Sequence, residues 1–187
     1  MSKNNILQPI RYKAIASGMK AVEGKSNKVS FYASYFGNVD ADREIIVKGA
    51  FAKSIQENGY NSNSPQKIAY LYQHKLDKPI GRITYMEEDD KGLYCEAELD
   101  DIQLARDVQK QYASGTLNQH SIGFRYIWDK MEYDENAEAY ILKEVKLMEV
   151  SVVTIGANEN TPFVGFKAEQ IEDQKVKHAK EVEGVLK

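Results

Sequence analysis

The chain keeps returning to short runs of β-branched and aromatic residues, each closed by turn-forming residues. KVSFYASYF ends at Gly37, IAYLYQH follows the polar NSNSPQ, and PIGRITYMEEDDKGLYCEAELD folds back over an Asp-Lys-Gly turn. NQHSIGFRY comes later, and a turn over DENAEA leads into YILKEVKLMEVSVVTIG. Runs of this length, bounded in this way, read as strands. The 12 tyrosines lean the same way. Only two stretches have helical spacing. Gly49 to Asn58 puts Phe51, Ala52 and Ile55 on one stripe, with Gly59 as the stop. The second starts from a cap at Asp100 or Asp101 and runs through Tyr112, with Ile102, Ala105, Val108 and Tyr112 on one side and Gly115 at its end. Many strands with two inserted helices predict a β-rich α+β fold, a barrel or sandwich with peripheral helices.

The 187 residues suit one domain with tails. Residues 1–27 read as a leader with an early strand, 28–166 as the folded domain, and 167–187 as a charged tail, either a solvated helix or disordered. A net charge of -3 leaves no global basic field for nucleic acid, and no local basic patch of size replaces it. Cys95 is the only cysteine, so an internal disulfide and a cysteine zinc cluster are excluded. Its place in LYCEAEL makes it a small buried hydrophobe. MSKNNILQPIRYK lacks the apolar core of a signal peptide, and no apolar run is long enough to span a bilayer. The expectation is a protein at work in a reducing cytoplasm, with no membrane partner.

His120 stands directly before Ser121. On a strand, neighbouring side chains point to opposite faces, so this imidazole does not reach that hydroxyl. Ser121 shares its face with Gly123 and Arg125, while Ile122, Phe124 and Tyr126 point inward. A serine needs a base before it attacks. Of the other histidines, His178 lies in the charged tail, whereas His74 ends a strand and opens into a loop, where site residues concentrate. An exposed surface histidine is the bland alternative there. Glu149 lies inside the apolar KLMEVSVVTIG. Either this is an edge strand with Glu149 and Ser151 facing solvent, or the carboxylate is held beside a histidine.

Taken together, these segments resemble the HK97-family prohead proteases of tailed bacteriophages, which are capsid-maturation serine peptidases. The matching features run in family order: VKGAF, YQHKLDKPIGRI, DDKGLYCEAEL, HSIGFRY, and LMEVSVV followed by ANENTPF, over roughly residues 28 to 166. The resemblance implies a closed or partly open β-barrel with peripheral helices, like the herpesvirus assemblins, whose triad runs His, Ser, His. Carried over, His74 is the general base, Ser121 the nucleophile, and Glu149 stands at the third position, a Ser-His-Glu type triad. Ser151 is a rival nucleophile. Backbone N–H groups near Gly123, and Arg125, are candidate oxyanion donors; the stretch TIGANEN lacks the arginine an assemblin would use there. The implied substrates are the phage major capsid protein with its scaffold region and the protease itself, inside the assembling prohead in the host cytoplasm. Self-cleavage would fall after Phe166. A homodimer is implied, and neither a metal nor an organic cofactor. The alternative is a non-catalytic assembly scaffold of the same fold.

Overall fold

A computed structural model describes residues 26–158 and 160–166. The expected leader with its early strand and the charged tail lie outside the described residues, apart from Ser26 and Asn27. The strands are β1 (Lys28–Tyr35), β2 (Glu44–Ile46), β3 (Ala69–Tyr72), β4 (Lys75–Glu88), β5 (Gly92–Leu99), β6 (Gln119–Tyr126), β7 (Met131–Asp134), β8 (Ala139–Leu142), β9 (Val145–Val153) and β10 (Phe163–Phe166). The helices are α1 (Ala52–Asn58) and α2 (Gln103–Ser114). Seven strands form one sheet in the order β10-β1-β5-β4-β3-β9-β6, and β2-β8-β7 form a second.

The large sheet curls into a half-barrel, so its two edge strands approach each other. At one end they are joined through the segment before β10. His120 N–H donates to Thr161 O at 3.1 Å, and Phe163 N–H donates to Asn118 O at 2.8 Å. The core is filled by alternate residues of the strands, such as Val29, Phe31 and Ala33 of β1 and Leu93, Cys95 and Ala97 of β5. Ala105, Val108 and Tyr112 of α2 are buried as well. Cys95 is the small buried hydrophobe expected of it, and burial pushes its thiol pKa up.

Several local expectations need correcting. α2 begins after Ile102, which sits at its N-cap half-exposed, and neither Asp100 nor Asp101 caps the helix. Gly115 does end it, in the left-handed region at φ 74°. α1 is shorter than its periodic stripe. Ala52 is exposed, and Ser54 is the buried residue of the helix. Ser54 Oγ donates to Val145 O and accepts from Leu147 N–H, both at 2.9 Å, so α1 is tied to β9 by a hydroxyl rather than by apolar contact alone. The run YILKEVKLMEVSVVTIG is two strands in two sheets, broken at Lys143 and Glu144. β2 has no counterpart among the expected strands, because three residues carry too little pattern to read.

Candidate active site

β3 runs parallel to β9, and β6 runs antiparallel to the other side of β9. β9 is therefore an inner strand, and Glu149 and Ser151 are 5% and 0% exposed. The solvent-facing edge-strand alternative for these two residues is overturned. Strict alternation would put Glu149 on the side of Val145 and Leu147, which are core residues. Instead Gly123 pairs with Glu149 while the next residue, Phe124, pairs with Leu147, which leaves Met148 as an extra residue on β9. This bulge reverses the parity of the strand. Beyond it Val150 and Val152 enter the core, and Glu149 and Ser151 turn to the opposite face.

Ser121 lies directly across from Ser151, and Gly123 across from Glu149. Residues paired in this way project on the same side of a sheet. Glycine leaves the carboxylate its place here: a Cβ at position 123 would come within 2.2 Å of Glu149 Oε1, so that the acid would have to shift. The absence of that Cβ lets the carboxylate lie across β6. Of the residues expected inward, Ile122 and Phe124 do pack on the core, but Tyr126 is 42% exposed at the strand end. There its hydroxyl donates to Glu44 Oε1 at 2.5 Å.

His74 reaches the same place from β3. Gln73 and His74 form the two-residue connection to β4, with φ of 54° and 57°. Two central residues at positive φ make a type I′ hairpin, a geometry that favours Asn and Gly. Holding non-glycine residues there costs on the order of 1 kcal/mol each, and such strain persists only where surrounding contacts fix it. The contacts are present. Gln73 N–H donates to Val152 O at 2.9 Å, Gln73 Nε2 donates to Thr154 Oγ1 at 2.8 Å, and His74 N–H donates to Ser151 Oγ at 3.0 Å.

The turn delivers the imidazole to the carboxylate: His74 Nδ1 and Glu149 Oε1 are 2.7 Å apart. The other carboxylate oxygen, Oε2, accepts from Ser151 Oγ at 2.6 Å. The hydrogen bond and charge of Glu149 hold the His74 pKa above its usual 6.5, against the opposing effect of partial burial. His74 is thus no isolated surface histidine. The Ser121 hydroxyl has no hydrogen-bond partner among the described residues, and Ser121 is only half-buried.

His74, Ser121 and Glu149 all line one cleft of about 560 Å³. Residues 120–124 line it consecutively, so the cleft follows the backbone edge of β6 rather than one face of it. Ser151 and Arg125 are not among its lining residues. The cleft is also lined by Asp40, Asp42 and Glu44, acids with no place among the expected site residues. Burial raises the pKa of Asp40 and of Glu44. Among the described residues, no group of three His, Cys, Asp or Glu side chains is placed to hold a metal ion.

The His120 ring takes no part in the His74–Glu149 contact. It stacks on Phe31 at 3.8 Å between centroids, and its Nε2 meets Tyr112 Oη at 2.7 Å, with Tyr70 Oη 2.6 Å further on. Alternation along β6 separates it from Ser121 as the sequence implied.

Comparison with known proteins points the same way as the motifs. Residues 16–177 match the model of the caudovirus prohead serine protease family. The chain is 32% identical over 149 residues to the prohead protease of Enterobacteria phage HK97, a match covering 78% of this chain and 63% of that protein. It is 27% identical over 148 residues to the prohead protease of Escherichia phage T5, covering 78% of this chain and 67% of that one. The matched stretch is just under two thirds of the HK97 protein's length. Because the family model takes in the half-barrel and the His74–Glu149 cleft whole, the chain belongs to the caudovirus prohead serine protease family.

Proposed function

We propose that this chain is a serine endopeptidase of prohead maturation, with His74 as general base, Ser121 as nucleophile and Glu149 orienting the imidazole. The observation that carries the reading is the 2.7 Å contact between His74 Nδ1 and Glu149 Oε1, at the wall of a cleft that Ser121 also lines. With Nδ1–H donated to the carboxylate, Nε2 is left to take the Ser121 proton. Ser121 Oγ then attacks the scissile carbonyl, and His74 passes the proton to the leaving amine. Water hydrolyses the acyl-enzyme, with His74 again acting as base. Glu149 stabilises the imidazolium formed in each half-reaction. A cleft along the outer edge of β6, beyond the part joined to the segment before β10, suits an extended peptide.

The substrates on this reading are the phage major capsid protein, its scaffold region and the protease itself, cleaved inside the assembling prohead in the host cytoplasm. Processing of the chain itself falls after Phe166, where the domain of residues 28–166 gives way to the charged tail. On this reading the curled sheet with its two helices is an assemblin-like barrel, and the chain acts as a homodimer. The test is co-expression with the cognate major capsid protein, beside a Ser121→Ala version, following chain masses by intact mass spectrometry. The expected result is trimming by the unmodified chain and none by Ser121→Ala. Equal trimming by both sinks Ser121 as nucleophile. No trimming by either, inside assembled shells, favours a non-catalytic scaffold.

A further inference from the structure

We infer that Ser151 is a positioning residue that fixes His74 and Glu149 relative to each other. The inference rests on the role proposed for that pair. Ser151 lies on β9 two residues beyond Glu149, and its hydroxyl bonds to both members. Its proton goes to Glu149 Oε2 at 2.6 Å, which leaves Oε1 free to face His74. Its oxygen accepts the His74 backbone N–H at 3.0 Å, inside the turn where His74 stands at φ 57°. One hydroxyl thus sets the orientation of the carboxylate and the position of the chain that carries the imidazole. A serine that only stitched two strands would end both its bonds on backbone. Here one bond ends on the side chain of the acid and the other on the residue that bears the base.

The same geometry argues against Ser151 as nucleophile. It is 0% exposed, lies off the cleft, and has its only hydroxyl proton committed to a carboxylate. Ser121, directly across the ladder, is half-buried and lines the cleft. The two serines therefore divide what a sequence reading treats as competing claims to one role.

The test uses Ser151→Ala in two settings. In the active chain, the rate of phosphonylation by a fluorophosphonate, in which the serine oxygen displaces fluoride from phosphorus, is followed, with the labelled residue mapped by mass spectrometry. In a Ser121→Ala background, the downfield proton resonance of the His74 Nδ1–H is followed by NMR, which needs no turnover. The expected results are a folded protein, label still on Ser121 but added about 10²-fold more slowly, and a shifted or lost His74 resonance. Ser151→Thr, which keeps a hydroxyl, is expected to restore both. Unchanged labelling with an unchanged resonance overturns the inference. Label mapping to Ser151 in the unmodified chain overturns it together with the role given to Ser121. Loss of the resonance in a chain whose Ser121 proves dispensable for cleavage retains the positioning geometry and sinks only the proposed nucleophile. Should Ser151→Ala not fold, Ser151→Cys, close in shape and a weak donor, is judged by the same two readouts.

Discussion

Lowering the pH should destabilise this protein through His120, by an amount the structure sets. The ring is fully buried against Phe31, and burial pushes its pKa down to about 3 from an ordinary 6.5. Its Nδ1 makes no well-formed hydrogen bond among the described residues, and the neighbouring Thr161 backbone, which favours the proton, is outweighed by burial. The unfolded chain takes up that proton below about pH 6.5 and the folded chain does not, so stability falls as pH falls. With one pKa unit worth about 1.4 kcal/mol, the term is near zero at about pH 7.5 and reaches about 2 kcal/mol at about pH 5. His74 works in the other direction and in another window. Its folded pKa is raised, so its contribution is full below 6.5 and fades as pH climbs through the folded value. Urea unfolding of the unmodified protein and of His120→Phe, at both pH values, isolates the His120 term. Fixed costs of the substitution, and the titration of His74, Asp40 and Glu44, cancel in the double difference. The unmodified protein should lose about 2 kcal/mol more than His120→Phe on acidification. Equal losses would refute the claim that His120 stays neutral in the fold.

Two further outcomes follow from close contacts. Gly123→Ala places a Cβ 2.2 Å from Glu149 Oε1, so the carboxylate must move off His74. Proteolytic turnover should drop about 10²-fold with the thermal melt little changed, and undiminished turnover would show that the Glu149 contact is dispensable. Ser54→Ala strands Val145 O and Leu147 N–H beneath α1. Unfolding in urea should register a loss of about 2 kcal/mol, and a loss under about 0.5 kcal/mol would mean that other groups take over these two bonds.

Most of the strands, both helices and the opposite facing of His120 and Ser121 on β6 were legible in the sequence because each depends on local spacing, whereas the short β2 and β10 were not. Period-two patterning separates His120 from Ser121 without any tertiary information. What was not legible depends on register between distant segments. Nothing in LMEVSVV announces that Met148 is a bulge residue, and without that bulge Glu149 counts as a core position. The positive φ of Gln73 and His74 left no trace either, since neither residue is a usual turn former. Ser151 looked like a competitor of Ser121 because its burial comes from β3, a strand about 80 residues earlier in the chain. The acidic wall from Asp40 to Glu44 had a visible signal, three carboxylates within a few residues, but no partner in the sequence to place it in a cleft.

The parallel pairing of β3 with β9 also governs when the cleft comes into being. The His74 turn and the β4–β5 hairpin can form from neighbouring segments, whereas Glu149 joins His74 only after a loop of some 75 residues has closed. Contacts of such sequence separation are late events, because the entropy of the loop must be overcome before they are rewarded. A chain still emerging from the ribosome, or one halted before β9, holds a histidine turn with no carboxylate to orient it. On the proposed function, competence for chemistry thus arrives with β9, and a chain halted before that strand has no assembled site.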